Sequence, residues 1–428
     1  MRPDRKLETC MYEKIVLPNG VRVIYERMPN VRSAAVGIWV MNGSRHEPEK
    51  WSGISHFVEH MVFKGTEKRS AKHIAVAMDA IGGQVNAFTT KECTCFYLRT
   101  LDSHLQTGVE ILADMFLNAS FDDHDVDLER GVIEEEIDMY EDSPEDTATE
   151  KLFEACYRGS SLGRSILGHS ETLEQIHGEQ LHEFVKEFYR PKDTVISLAG
   201  SFTLGDVEFI CSLFEKMQGE GQNQAEPVMY QPAIYTKEKD IEQNHICIGF
   251  EGVPMCSEKR YVNALLGTVL GGGMSSRLFQ SVREQNGLCY SIYSYHTAHT
   301  DAGLFSVYTA LGQETEERAV KLILQECRNL AEHGPDRAEL SRCKEQAKTS
   351  VLLGLESTAS RMNQIARGEM FFGYNPEVEE VISLYDAVTE QDVAELARQI
   401  FQFDRMSLSA VGRVGSEEHY AELLKRNT

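Results

Sequence analysis

A polar segment interrupts this chain near its middle, and the pattern of strands and helices starts again after it. Residues 218–227 are rich in Gly, Gln, Asn and Glu and have no apolar period, which is typical of a linker. Before this segment, a strand-like run at 34–40 precedes a helix-like run that ends near Gly65. After it, a strand-like run at 245–250 precedes a helix-like run that ends at 271–273. The pattern predicts two similar halves.

Chain length and apolar content agree with two domains. A chain of 428 residues exceeds one ordinary domain, and 42% hydrophobic residues suffice for more than one packed core. We predict an α+β fold with an N-terminal domain at 1–217, a linker at 218–232 and a related C-terminal domain at 233–428. Each domain is expected to be an α/β sandwich, with helices packed on a mixed or antiparallel sheet. Asn19-Gly20 between two strand-like runs predicts a hairpin at the start of the first domain.

An H-x-x-E-H sequence lies inside an apolar, helix-like run of the first half. Its three polar positions are His56, Glu59 and His60. Residues four apart lie one above the other on a helix, so the two imidazoles can converge on one zinc ion. A glutamate beside them can take a proton from metal-bound water. The alternative is a structural helix whose histidines are satisfied by hydrogen bonds in the core.

A catalytic zinc usually has three protein ligands, so a third must come from elsewhere in the chain. The acidic segment at 128–139 is the richest candidate. Glu129 and Glu136 are seven residues apart and share one helix face, whereas Glu134 and Glu135 point elsewhere. The alternative for this acidic run is a solvated helix surface.

The second half retains no such metal motif. When the two helix ends at Gly65 and Gly271 are aligned, the three polar motif positions fall opposite Val262, Leu265 and Leu266. We therefore expect the chemistry in the first half, with the second half shaping or closing the site.

The charge of the chain limits its partners. A formal net charge of -24 argues against nucleic acid or an anionic membrane surface, and it favours basic ligands such as cationic peptides. Solubility alone would also explain this charge.

The cysteines and the start of the chain indicate a cytoplasmic protein. The 10 cysteines form no C-x-x-C pair and are interpreted as reduced thiols. Residues 1–8 contain no apolar signal region, and no stretch elsewhere reaches the roughly 20 apolar residues needed to span a bilayer.

Together these motifs resemble the M16 family of zinc metallopeptidases, whose metal motif is the inverted H-x-x-E-H. The segment Glu129–Ile137 matches the family pattern E-R-x-V-x-x-E-E-I that follows the metal motif. The chain is similar to half-length bacterial members related to the catalytic subunit of mitochondrial processing peptidase. The resemblance implies that Glu136 is the third zinc ligand. It also implies that Glu129 is an auxiliary acid of the zinc site, and an outer carboxylate commonly orients a ligating imidazole.

Two further segments carry the resemblance. Residues 83–94 resemble the substrate-binding edge strand of the family, in which the backbone around Asn86, Ala87 and Phe88 pairs with an extended peptide. Without the family resemblance, an ordinary sheet strand is the preferred interpretation of this segment. In the second half, Arg283 and Tyr290 resemble the family pair that assists near the scissile bond, where both could stabilise developing negative charge. The alternatives are an Arg paired with a carboxylate and a Tyr packed in a core.

The resemblance implies a zinc-dependent endopeptidase with Zn2+ held by His56, His60 and Glu136 and with Glu59 as the general base. It implies clamshell-like halves and an enclosed chamber formed by two chains, hence a homodimer or a heterodimer with a related subunit. Such a chamber would admit unfolded peptides, presequences or leader peptides. The alternatives are a non-hydrolytic peptide-binding or assembly subunit that keeps a metal site, and an exopeptidase.

Overall fold

The computed structural model describes residues 12–427. The expectation for residues 1–8 lies outside this range. The chain forms two compact units: one contains the residues up to Glu135 together with 164–225 and 352–377, and the other contains 136–163, 226–351 and the residues from Val378 onward.

The first unit is built on a six-stranded mixed sheet. Its strand order is β1-β2-β6-β3-β5-β4, in which β2 and β6 run parallel and the other neighbours run antiparallel. The strands are β1 (Glu13–Val16), β2 (Arg22–Arg27), β3 (Ser33–Val40), β4 (Gln84–Thr89), β5 (Thr94–Leu101) and β6 (Thr194–Gly200). The predicted hairpin at Asn19-Gly20 joins β1 to β2 and is confirmed.

Helices cover both faces of this sheet, which is why β3 and β6 are buried along almost their whole length. The helices of this unit are α1 (Ile54–Met61), α2 (Ala71–Ala80), α3 (Leu105–Asn118), α4 (Asp123–Asp142), α6 (Ser170–Leu173), α7 (Gly178–Phe188), α8 (Leu204–Phe214) and α12 (Thr358–Arg367). Helices α1 and α3 contact β5. The boundary between the two units falls inside the continuous helix α4, after Glu135.

The second unit is built on a five-stranded mixed sheet. Its order is β7-β11-β8-β10-β9, with β7 parallel to β11 and the other neighbours antiparallel. The strands are β7 (Ile234–Glu238), β8 (Asn244–Glu251), β9 (Cys289–Ala298), β10 (Gly303–Leu311) and β11 (Ser407–Gly412). The first sheet repeats this order and these directions in its strands β2-β6-β3-β5-β4.

The helices of the second unit are α5 (Pro144–Cys156), α9 (Arg260–Gly271), α10 (Glu316–His333), α11 (Arg337–Gly354), α13 (Val378–Ala387), α14 (Glu390–Ile400) and α15 (Glu417–Arg426). Leucines of α9 and residues of α10 and α14 form the core on one sheet face. Helix α5 covers the other face through Leu152, Phe153 and Cys156. The prediction of an α+β fold with mixed sheets and packed helices is confirmed, and the predicted domain bounds stay a prediction.

Each sheet is completed by a helix from the other half of the sequence. Helix α12 packs on the first sheet, where Met362, Ile365 and Ala366 meet Ala35 and Trp39. A Cβ atom at Gly37 would lie 2.5 Å from the sulfur of Met362, so the glycine permits this close approach. In the same way helix α5, from the first half of the sequence, packs on the second sheet.

Ion pairs to two buried carboxylates fix the segment at 352–377, which contains α12. The guanidinium of Arg361 pairs with the carboxylate of Glu26 on β2, with both side chains buried, and its Nε lies 3.0 Å from Oε1. The buried carboxylate of Glu369 pairs with Lys14 on β1, with 2.7 Å between Oε1 of Glu369 and Nζ of Lys14. A charge buried in this way is stable only with its partner in place.

Replacing Arg361 by methionine should therefore destabilise the protein strongly. The change leaves the carboxylate of Glu26 buried without its partner, which typically costs about 3–5 kcal/mol. The free energy of unfolding, measured by urea denaturation, tests this. Arg426→Met removes an ion pair with Glu422 whose side chains are both 69% exposed, and it should have little effect. Equal losses in the two variants would contradict the role given to the buried pair.

Candidate metal centre

Helix α1 presents the H-x-x-E-H residues on one side and anchors itself in the core with the other. Ile54, Phe57 and Val58 are fully buried. The rings of His56 and His60 lie 4.5 Å apart, centroid to centroid, as expected for residues one turn apart. Glu59 precedes His60 and is partly buried.

The start of α1 is held by an acid that sequence reasoning missed. The buried carboxylate of Glu47 accepts hydrogen bonds from the backbone N–H groups of Gly53 and Ser55, both at 2.8 Å. The first N–H groups of a helix have no partner within the helix, and the helix dipole also favours a negative group there. Arg164 Nη1 donates to the carbonyl oxygen of Glu47 at 2.9 Å. Glu47 lies seven residues before the first residue of the helix, so no capping pattern identifies it.

Gly53 allows α1 to begin where it does. Its φ of +98° is a left-handed conformation, and a Cβ atom there would lie 2.7 Å from the carbonyl oxygen of Leu167. The glycine lets the backbone around 167–168 pass directly behind the start of the metal-motif helix.

The structure brings Glu136 of α4 to the two histidines of α1. One possible ligand atom from each of His56, His60 and Glu136 lies within 4.8 Å of the others. Atoms that share a tetrahedral zinc at about 2.0–2.2 Å lie about 3.4 Å apart, so small side-chain adjustments suffice to bind one ion. Two imidazole nitrogens and one carboxylate oxygen are a donor set that suits catalytic zinc.

Glu129, seven residues before Glu136, contacts the second histidine. Its Oε1 lies 2.9 Å from Nδ1 of His60, and its Oε2 pairs with the ammonium of Lys64. An ionised carboxylate accepts, so Nδ1 of His60 donates at this contact, and Nε2 is the ring nitrogen left for a metal in the neutral imidazole. Glu129 and Glu136 thus both lie beside the histidines, whereas Glu135 is exposed. Sequence reasoning missed Lys64, although its spacing of four residues from His60 was a usable signal.

The electrostatics of the site favour neutral imidazole at His56. Burial, together with the nearby His60, lowers the pKa of His56 to about 3. The ring is therefore neutral at pH 7, and a neutral ring is the form that can donate a lone pair to a metal.

Strand β4 lies at the edge of the first sheet and packs against α1. Within the described residues, it pairs with β5 alone. Asn86 is exposed and its Oδ1 accepts from the N–H of Ala87 at 2.9 Å, while Phe88 packs edge-on against Trp39. The hairpin turn after β4 is tied to the loop that contains Glu47, because Arg45 N donates to Lys91 O at 2.8 Å.

Arg283 and Tyr290 lie together in the second unit. Arg283 occupies a π-helical turn at Phe279–Glu284, and its guanidinium lies 4.6 Å from the ring centre of Phe279 and 5.1 Å from that of Tyr290. Tyr290 is 75% exposed at the start of the edge strand β9. The expected alternative of a Tyr buried in a core does not hold. π-Helical turns are frequent at functional sites.

Glutamine at position 136 should abolish tight zinc binding, whereas glutamine at position 135 should not. The first change removes a charged ligand atom from the cluster, and the second alters an exposed side chain that points about 100° away on the helix. Zinc affinity measured by chelator competition should fall by more than about 10–100-fold, the range for loss of an outer partner. If Glu135→Gln lost zinc and Glu136→Gln retained it, the placement of the third ligand would be wrong.

The pKa of Glu47 predicts a pH-dependent stability. Burial raises this pKa to about 7, although hydrogen bonds from Gly53 and Ser55 lower it. Between the unfolded value of 4.5 and about 7, the folded state keeps a proton that the unfolded state releases. Stability relative to Glu47→Gln should therefore fall as pH rises through this window, by at most about 1.4 kcal/mol per pH unit, and then level off.

This is measured by urea denaturation of metal-free protein from pH 5 to 8. Glu49→Gln, a change at a nearby exposed acid, should leave the pH profile unaltered. A stability difference between wild type and Glu47→Gln that stays constant or rises with pH would contradict the prediction.

No helix among residues 12–427 is both long and apolar enough to cross a membrane.

Comparisons with known proteins agree with the motif and the fold. The family model "Insulinase (Peptidase family M16)" matches residues 22–170, and the model "Peptidase M16 inactive domain" matches residues 175–347. The uncharacterized zinc protease YmxG of Bacillus subtilis is 41% identical over 92% of this chain and 97% of its own length. An uncharacterized zinc protease of Streptomyces coelicolor is 37% identical over 93% of this chain and 89% of its own length.

A crystal structure titled as the peptidase M16 inactive domain from Pseudomonas fluorescens has the same fold, with a TM-score of 0.87 at 18% identity. It covers 95% of this chain and 99% of that chain. With the cluster of His56, His60 and Glu136, the sequence matches confirm the predicted enzyme class, a zinc protease, and the predicted cofactor, zinc. The chain belongs to peptidase family M16, the insulinase family.

Proposed function

We propose that this protein is a zinc-dependent endopeptidase that cleaves unfolded peptides, presequences or leader peptides. The convergence of His56, His60 and Glu136 within 4.8 Å is the observation that carries the proposal. These three residues would hold the ion, and two imidazoles with one carboxylate are a donor set that suits a catalytic zinc.

The chain contributes the protein side of a hydrolysis reaction. When bound, zinc supplies the positive charge that polarises the peptide carbonyl and lowers the pKa of water. Glu59 accepts the proton of the attacking water and passes it to the leaving amine. Glu129 orients the imidazole of His60 through their 2.9 Å contact.

The substrate is recognised through its backbone by strand addition to β4. The position of β4 at the sheet edge and its packing against α1 support this assignment. Asn86, Ala87 and Phe88 form the part of β4 that pairs with the extended peptide. Strand addition reads backbone groups and so tolerates varied side chains.

The two halves of the sequence have different roles in this proposal. Residues 1–217 form the catalytic domain, 218–232 the linker, and 233–428 the related domain without metal ligands. The halves act as a clamshell, and Arg283 and Tyr290 stabilise negative charge near the scissile bond. The contact of the Arg283 guanidinium with the ring of Tyr290 and the exposure of Tyr290 support this assignment.

A second chain completes an enclosed chamber, either as a homodimer or as a heterodimer with a related M16 subunit. Such a chamber excludes folded proteins and admits flexible segments. The formal net charge of -24 favours basic peptides. A cytoplasmic location fits the buried, unpaired thiols of Cys93, Cys95 and Cys247.

The second candidate is a non-hydrolytic peptide-binding or assembly subunit. The similarity of residues 175–347 to a domain described as inactive favours it, although the metal cluster lies on residues before this range. Zinc binding without cleavage of any peptide in a broad panel would support this candidate.

Glu59→Gln should retain zinc and lose peptide cleavage. The amide cannot accept the proton from water, so turnover should fall by at least about a hundredfold. The measurement is mass spectrometry of a peptide panel after incubation with protein of known zinc content. Internal fragments indicate an endopeptidase, whereas stepwise loss of terminal residues indicates an exopeptidase.

The matched control is Glu67→Gln, which changes an exposed acid a few residues after α1 and should leave cleavage intact. Undiminished cleavage by zinc-loaded Glu59→Gln would remove Glu59 from the mechanism. Wild-type protein that binds zinc but cleaves nothing, alone or with a related subunit, would refute the proposed activity.

A further inference from the structure

Glu129 is a buried acid that contacts two groups, and only one of them is a proposed zinc ligand. Oε1 lies 2.9 Å from His60 Nδ1, and Oε2 is paired with the ammonium of Lys64. The side chain of Glu129 is 7% exposed, so its negative charge needs a partner that compensates for the water it has lost. His60 is neutral when it binds a metal and cannot supply that compensating charge. Lys64 can.

The backbone places Lys64 one turn beyond His60. Helix α1 ends at Met61, but the turn continues through the hydrogen bonds from Phe63 N to His60 O and from Lys64 N to Met61 O, at 3.2 and 3.0 Å. This turn places Lys64 where its ammonium pairs with the same carboxylate that contacts His60.

The next residues fix this turn against the segment that leads into α4. Ser120 N donates to Gly65 O at 3.1 Å, and Thr66 forms an isolated β-bridge with Ala119. Helix α4 begins at Asp123, so the backbone on both sides of the Lys64–Glu129 pair is joined close to that pair. A lysine on a fixed backbone loses less freedom when it pairs with an acid, which favours a persistent contact.

We propose that Lys64 is a positioning residue of the zinc site, which holds the Glu129 carboxylate so that Glu129 fixes the ring of His60. This inference rests on the proposed zinc site. Lys64 occupies one carboxylate oxygen and leaves the other for Nδ1–H of His60. Nε2 of the imidazole would then remain available to the ion. Without the ammonium, Glu129 is free to rotate away from His60, and zinc binding weakens.

The test is the zinc affinity of the full-length protein at pH 7.5, measured by competition with a chromophoric chelator. Lys64→Met should weaken zinc binding by about tenfold, at the lower end of the range for outer partners of a ligand. Lys64→Arg keeps the charge and should restore affinity to within about threefold of wild type. At saturating zinc, Lys64→Met should lower kcat and leave KM unchanged.

Lys151→Met is the matched control. The ammonium of Lys151 pairs with Glu154 Oε2 at 2.7 Å, and its side chain is 28% exposed against 35% for Lys64. This change should leave zinc affinity unaltered. The thermal unfolding midpoint of each metal-free variant identifies any general loss of stability, and Lys64→Gln replaces the methionine variant if that variant does not fold.

A double-mutant cycle separates positioning from a direct effect of charge. In a Glu129→Gln background, Lys64→Met should change zinc affinity by less than about twofold, because the residue through which the lysine acts is already altered. An unchanged affinity in Lys64→Met alone, or the same tenfold loss in both backgrounds, would overturn the proposal. Wild-type protein that binds zinc but cleaves no peptide would refute the proposed activity alone, since zinc affinity decides the role of Lys64.

Discussion

Two imidazoles and one carboxylate can share a cation only if the helices that carry them are fixed relative to each other. Here the histidines lie on α1 and the carboxylate on α4. Contacts at both ends of α1 provide the restraint: Glu47 holds the first N–H groups, and the turn after Met61 is joined to the segment before α4. Between these ends, Glu129 reaches from α4 to the ring of His60. The metal site is thus supported by hydrogen bonds to backbone and side chains on each side of it.

Local chemistry in the sequence predicted much of this arrangement. The Asn19-Gly20 hairpin depends on near neighbours, and the period of a helix was enough to group Glu129 with Glu136. Helix periodicity did not identify the third ligand, because Glu129 and Glu136 both remained candidates. The choice of Glu136 rested on the family resemblance. Their roles stay predictions, as do those of Asn86, Ala87, Phe88, Arg283 and Tyr290.

Long-range contacts explain what the sequence did not reveal. Glu26 and Arg361 are 335 positions apart, and nothing near either residue indicates the other. The same applies to α5 and α12, each of which packs on the sheet formed by the other half of the sequence. Both helices have ordinary amphipathic patterns that do not specify which sheet they cover. In the second unit, Leu265 and Leu266 of α9 are fully buried in the core, whereas the aligned positions of the first half hold Glu59 and His60 of the candidate metal centre.

The late position of α12 in the sequence also affects how the first sheet folds during translation. During synthesis the first sheet has all of its strands once residue 200 has left the ribosome, yet the face that contains Ala35 and Trp39 still lacks its covering helix. That helix is complete only at residue 367, when most of the chain has been translated. At a translation rate of about 5–20 residues per second, the apolar face remains uncovered for roughly 10–30 s. During this interval it can bind chaperones or aggregate. The order of segments in the gene therefore exposes this sheet to quality control before the enzyme can mature.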